Sequence, residues 1–346
     1  MNSGDGGFSA INPDNPLEWF TANTGVTIQR CAQGIDCHSS DFNSDLVVSN
    51  ATVGGDGGPL YTPYILDPQN SAEIIVSTCR VWRGAMQGAS FAALSPNFDT
   101  LSETSCTGGE INTVRALAAG GQIDGNGFSS VIYAGTDGTG PLAAAPGGGD
   151  VWVMTTGSGG STTWTDVTGT INPNHFPISA ITVDSSDPTG YSAYVTIMGF
   201  HVSHVWYTIT AGQSWTDFTG SSSASLPDPP ANAVLVNDGT LYVGTDVGVF
   251  SSPTGIPTWT EVGPLPMPNG APTGYLPDVP VTALRLFNNQ TTKLLRAATY
   301  GRGVGSFRSR QRRILESPSL LQRKPRSPAK WPHSTESSAL SMVSAI

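Results

Sequence analysis

Three aspartates in glycine-rich loops are the residues of this chain best suited to chemistry: Asp56 in Gly55-Asp56-Gly57-Gly58, Asp137 in Gly135-Thr136-Asp137-Gly138 and Asp246 in Gly244-Thr245-Asp246-Val247. Two carboxyl groups facing each other across a groove can hydrolyse a glycosidic bond. One protonates the leaving oxygen and the other activates water, at a separation of roughly 6.5–9.5 Å for inversion. Asp246 with Asp56 or Asp137 would supply such a pair. The competing role is structural, because an Asp in such a turn accepts hydrogen bonds from its own backbone. Recurrence favours that role, since a residue needed once for catalysis has no reason to repeat. Asp5, in the duplicate loop Gly4-Asp5-Gly6-Gly7, joins His201, His204, Arg302 and Trp82 as a candidate ligand contact. His201-Val202-Ser203-His204 belongs to a second-to-third-strand loop or strand end, and on a strand its three-residue spacing would send the rings to opposite faces, so no metal centre is expected there. Oxygen-rich loops at Asp5 and Asp56 suit a structural calcium ion. The chain carries no nucleophile elbow, phosphate-binding loop, dinucleotide fingerprint or metalloprotease helix, and no cofactor is expected.

Distant loops converge only if a repeated element carries them. A Trp-Thr-acidic signature occurs three times, as Trp164-Thr165-Asp166, Trp215-Thr216-Asp217 and Trp259-Thr260-Glu261, at spacings of 51 and 44 residues. Val131 to Gly138 is echoed by Leu241 to Gly248. A period of this size marks the blades of a β-propeller. Inner strands are predicted at Phe8 to Asn12, Tyr64 to Asp67, Val114 to Ala118, Ala180 to Asp184, Ala233 to Asn237 and Val281 to Phe287. Three of them run into Asp/Asn-Pro turns that end a strand. Second and third strands follow, and the fourth begins at the repeated Trp. The fold class expected is all-β: a propeller of four-stranded antiparallel blades, six visible and a seventh in the parent gene, its N-terminus truncated. Residues 1–307 form the propeller and 308–346 a disordered basic tail.

Composition narrows the function classes. Residues 1–307 hold 24 acidic and 8 basic side chains, whereas the remaining 39 residues hold 2 and 8. An acidic body disfavours nucleic acid, whose phosphates demand clustered Arg and Lys. No segment is long and apolar enough to span a membrane. Cys31, Cys37, Cys79 and Cys106 are an even set without zinc-site spacing. With low charge and abundant Thr, Ser, Asn and Gly they suit a secreted or cell-surface protein whose leader is lost with the upstream sequence. The expected partner is a polysaccharide or an extracellular protein, and the expected state a monomer.

Thr208-Ile209-Thr210-Ala211-Gly212-Gln213-Ser214-Trp215 resembles the Asp-box pattern Ser/Thr-x-Asp-x-Gly-x-x-Trp, with Thr210 in the Asp position. Thr156 to Trp164 and Ser251 to Trp259 are looser versions, and Thr299-Tyr300-Gly301-Arg302-Gly303-Val304 adds to the likeness. Over about residues 4–307 the chain is thereby similar to the bacterial neuraminidase-type (BNR/Asp-box) propellers. That group includes sialidases, xyloglucanase-type hydrolases, sortilin-type receptors and secreted bacterial proteins described as glycosyl-hydrolase-like. The resemblance implies that the repeated Trp packs between blades. It also implies that ligands meet the opposite face, formed by second-to-third-strand and blade-to-blade loops. It supports carbohydrate or protein binding first, endo-β-glucan hydrolysis by two Asp residues second, and a spacer in a larger surface protein third. Sialidase chemistry is disfavoured, because only eight basic residues are spread over the body.

Overall fold

The structure is a computed structural model. It describes residues 7–88, 91–99, 106, 112–157, 160–221, 223–263, 265–266, 272–273, 278–288 and 292–308. Six antiparallel sheets follow one another along the chain. The first blade is β1 (Ser9–Ile11), β2 (Trp19–Ala22), β3 (Thr27–Cys31) and β4 (Leu46–Ser49), with the short helix α1 (Ser39–Ser44) before β4. The second is β5 (Tyr64–Asp67), β6 (Asn70–Ser77), β7 (Val81–Ala85) and β8 (Phe91–Ala93). The third is β9 (Val114–Ile123), β10 (Ser129–Thr136), β11 (Val151–Thr156) and β12 (Thr162–Asp166). The fourth is β13 (Ile178–Val183), β14 (Ala193–Ile197), β15 (Val205–Thr208) and β16 (Thr216–Asp217). The fifth is β17 (Ala231–Asn237), β18 (Thr240–Thr245), β19 (Gly248–Pro253) and β20 (Thr260–Glu261). A two-stranded ladder, β21 (Leu265–Pro266) with β22 (Pro272–Thr273), precedes the sixth blade of β23 (Val281–Asn288), β24 (Lys293–Thr299) and β25 (Gly303–Arg308). Among the described residues the sixth sheet therefore has three strands rather than the expected four.

Each apolar cluster joins one blade to the next, which is what makes the sheets a propeller. Phe20, Ile28 and Val48 meet Tyr64, Ile74 and Val76, and Ile75, Val81 and Phe98 meet Val114, Ile132 and Met154. Tyr133 and Val153 pack with Ile178 and Val195, Tyr194 and Val205 with Val234 and Val243, and Tyr242 and Val249 with Leu284 and Leu295. A middle sheet must therefore be apolar on both faces. β14, buried at all five residues, shows it.

The repeated residues hold these seams. The indole N–H groups of Trp164, Trp215 and Trp259 donate to the carbonyls of Leu94, Val167 and Phe218, at 2.8, 2.7 and 3.1 Å. Each acceptor immediately follows the outermost strand of the preceding blade. The next residue, Ser95, Thr168 or Thr219, turns its hydroxyl inward to accept the N–H that opens the third strand, from Val81, Val151 or Val205. Asp166 and Asp217 of the signature accept the backbone N–H of Thr168 and Thr219, so their acidity serves a turn. Thr210 accepts the N–H of Ser214 at 3.0 Å, so a hydroxyl closes the turn that leads into Trp215. Gly135 and Gly244 occupy matching places in β10 and β18 because a Cβ there would collide with Ile178 or Val281 of the next inner strand.

Cys31 bonds to Cys37 and Cys79 to Cys106. Two disulfides persist in an oxidising compartment and suggest an extracytoplasmic location. Among the described residues no helix is long and apolar enough to cross a membrane.

Candidate functional site

Antiparallel blades send their second-to-third-strand loops and their blade-to-blade connections to one face. Every described candidate except Trp82 lies in one of these loops. Asp56 follows β4, Asp137 opens the β10–β11 loop, His201 and His204 lie between β14 and β15, Asp246 between β18 and β19, and Arg302 between β24 and β25. Asp5 is outside the described residues, as is the predicted tail from 309 onward.

Asp56 is buried and fully engaged. It accepts from the Thr78 hydroxyl at 2.7 Å, the Arg80 guanidinium at 2.6 Å and the Trp82 indole at 3.2 Å. Those partners belong to the second blade, so the residue ties the first blade's exit loop to its neighbour. Trp82 sits within β7, with its ring against Gly54 and among the apolar residues of the first two blades. Its indole is committed to Asp56 and Thr78 rather than to an open groove.

Asp137 and Asp246 share a local plan. Arg115 donates to Asp137 at 2.9 Å, and Asn232 to Asp246 at 2.8 Å. Arg115 and Asn232 are each the second residue of an inner strand, where the pairing register slips by one. The same slip places Ser179 in β13 and Thr282 in β23, whose hydroxyls reach the carbonyls of Thr196 and Ala298. A bulge re-aims the extra side chain away from the sheet face it would otherwise join. In sequence the device reads Val114-Arg115-Ala116, Ile178-Ser179-Ala180, Ala231-Asn232-Ala233 and Val281-Thr282-Ala283. The flanking residues repeat and the middle one changes, which is why a search for like residues passes over it.

The histidines correct an expectation. They lie in a loop, not on a strand, and His201 adopts φ +58°, which turns the chain so that both rings reach one carboxylate. His201 Nδ1 is 2.9 Å and His204 Nε2 3.2 Å from Asp228, whose carboxylate also accepts the His201 N–H. His204 is 1% exposed. Asp228 lies in the β16–β17 connection and carried no repeat signature to announce it. Among the described residues no group of three His, Cys, Asp or Glu side chains is placed to hold a metal ion.

Arg285 of β23 lies close enough to Tyr64 of β5 for each to influence the other's ionisation. Burial raises the Tyr64 phenol far above its ordinary value. Arg285 keeps water-accessible surface, yet the surrounding protein still lowers its guanidinium. Arg302 at the outer loop is exposed.

No protein family matches the chain, and no curated protein does. Solved structures do. The propeller is similar to the extracellular domain of BT4673 from B. thetaiotaomicron, which carries the description hybrid two-component system. There the TM-score is 0.50 at 11% identity, covering 89% of this chain and 33% of that one. It is similar also to PorZ, a surface component of the type-IX secretion system of Porphyromonas gingivalis. That match has a TM-score of 0.54 at 12% identity and covers 88% of this chain and 41% of the other. The chain thus spans between a third and about two-fifths of these proteins. At such identity the likeness is one of fold, shared with bacterial propellers outside the cytoplasm.

Proposed function

We propose that this is an extracytoplasmic recognition domain of Asp-box type that binds a polysaccharide or an extracellular protein through its loop face. The observation that carries this reading is the bulge position of the inner strands. The backbone device and its flanking small or apolar residues recur in four blades, while the displaced side chain is Arg, Ser, Asn or Thr. A residue serving only the fold would repeat with its frame. Variation on a constant frame is what a surface tuned to a ligand requires, with polar groups held in place by rigid elements. Asp56, Asp137 and Asp246 each have a partner from strand or loop, which supports binding over acid–base work. The extracellular placement of the matched BT4673 domain agrees with this reading.

Affinity electrophoresis against β-glucans and xyloglucan, with reducing-sugar release measured in parallel, tests it. Retention by one polymer, weakened about tenfold in Arg115→Ala or Asn232→Ala, is the expected result, corresponding to one polar contact of about 1.4 kcal/mol. Sugar release abolished in Asp246→Ala would transfer the assignment to hydrolysis. No binding to polymers or to candidate surface proteins would leave the spacer role.

A further inference from the structure

A second site lies on the opposite face. Between the third and fourth blades the β9–β10 turn, the residues Thr156, Gly157 and Gly160 and the β13–β14 connection border an open pocket of about 640 Å³. That volume falls in the roughly 300–1,000 Å³ range of small-molecule sites. Gln122, Ile123, Asp124 and Asn126 form one wall and Thr189 and Tyr191 the other. We propose that this pocket binds a short neutral saccharide independently of the loop face.

The walls are fixed before any ligand arrives. Asp124 accepts the N–H groups of Asn126 and Phe128 and the hydroxyl of Thr156. Asp187 likewise accepts from Thr189 N and Oγ1 and from Ser192 N. Beneath them Gly121 and Gly190 meet backbone to backbone, so that a Cβ on either would strike the other's turn. From the core, the Tyr133 hydroxyl donates to the Gly190 carbonyl at 2.9 Å. Binding therefore orders little new chain.

The lining selects the ligand by exclusion. Its described residues include no Arg, Lys or His, and the one carboxylate among them is held below the ordinary range by hydrogen bonds that outweigh its burial, so anions are repelled. That carboxylate is already occupied by three donors, and no metal-binding group is present among the described residues, so a cation finds no free set of oxygens. What remains is an exposed phenol ring, Tyr191 at 42%, an exposed Ile123 at 60%, and amide and hydroxyl groups around them. A pyranose ring presents an apolar C–H face and a rim of hydroxyls, which suits one aromatic face ringed by neutral donors and acceptors.

The full chain is titrated calorimetrically with short malto-, cello-, xylo- and manno-oligosaccharides and with oligogalacturonate. At least one neutral series is expected to bind, about tenfold more weakly to Tyr191→Ala, as for loss of one aromatic contact. Tyr191→Phe, which keeps the ring, and Arg302→Ala, on the far face, are expected to bind as the native chain does. Both changed positions are exposed, so folding is not at risk. The proposal is overturned if no neutral series binds, if Tyr191→Ala and Asn126→Ala bind as the native chain, or if the anionic sugar binds better. Loss of polymer retention in Arg115→Ala with oligosaccharide binding intact would show that the two sites stand separately.

Discussion

Asp67 shows how much one side chain can carry. Its side chain, at the end of β5, is 0% exposed, and it accepts from Arg83, from the Ser129 hydroxyl and N–H, and from the Gln69 N–H. It thereby ties the second blade to the third. Burial lowers the Arg83 guanidinium, and the Asp67 charge is the chief influence opposing that. Asp67→Ala leaves this cation with only the weaker influence of Asp124 and Glu73 and is expected to cost about 3 kcal/mol in urea unfolding. Asp67→Leu with Arg83→Met, which removes both charges, should recover most of the loss. Asp187 sets an acid limit. Burial alone would raise its carboxyl, but hydrogen bonds from Thr189 and Ser192 prevail and lower it. Its folded pKa lies below the unfolded value, so its stabilisation is present above about pH 4 and disappears as pH falls through the folded pKa. Melting temperature measured downward from pH 5 should fall less steeply in Asp187→Asn than in the native chain.

Between blades, the stabilising unit is the indole with the Ser/Thr two residues past the preceding blade's outer strand. Trp259, 4% exposed, should cost about 3–5 kcal/mol when changed to Ala, and the half-buried Trp215 less. Thr168→Val removes the acceptor for the buried Val151 N–H and should cost about 1–3 kcal/mol by the same urea assay. These features were legible because they are local: a Trp, an acid and a small polar residue recur in short order, and the Asn-Pro and Asp-Pro turns end strands wherever they stand. The fourth strands of the first two blades carry no Trp and went unplaced. Arg80 as the partner of Asp56, and Asp228 between two histidines, depend on chain segments at least 24 residues apart brought together by packing. Four cysteines allow three connectivities, and only the fold selects the observed one. The bulge triplets were present in the sequence, but their central residue changes chemistry at each occurrence.

Across the whole molecule, the two disulfides close segments of 6 and 27 residues. Loop-closure entropy assigns these about 2 and about 3.5 kcal/mol. Denaturation with and without reductant should show the larger loss for the Cys79→Ala, Cys106→Ala pair. The sixth sheet raises a different matter. Its last strand, β25, pairs with β24 and, among the described residues, with nothing beyond. Val304 there is 66% exposed. Among the described residues the other five blades finish with a further outer strand, whereas here β25 is the last; an outer edge left unpaired is a template for cross-chain pairing. Light scattering at high concentration is expected to detect two molecules pairing along that edge into a continuous ribbon, and Val304→Lys is expected to keep them apart.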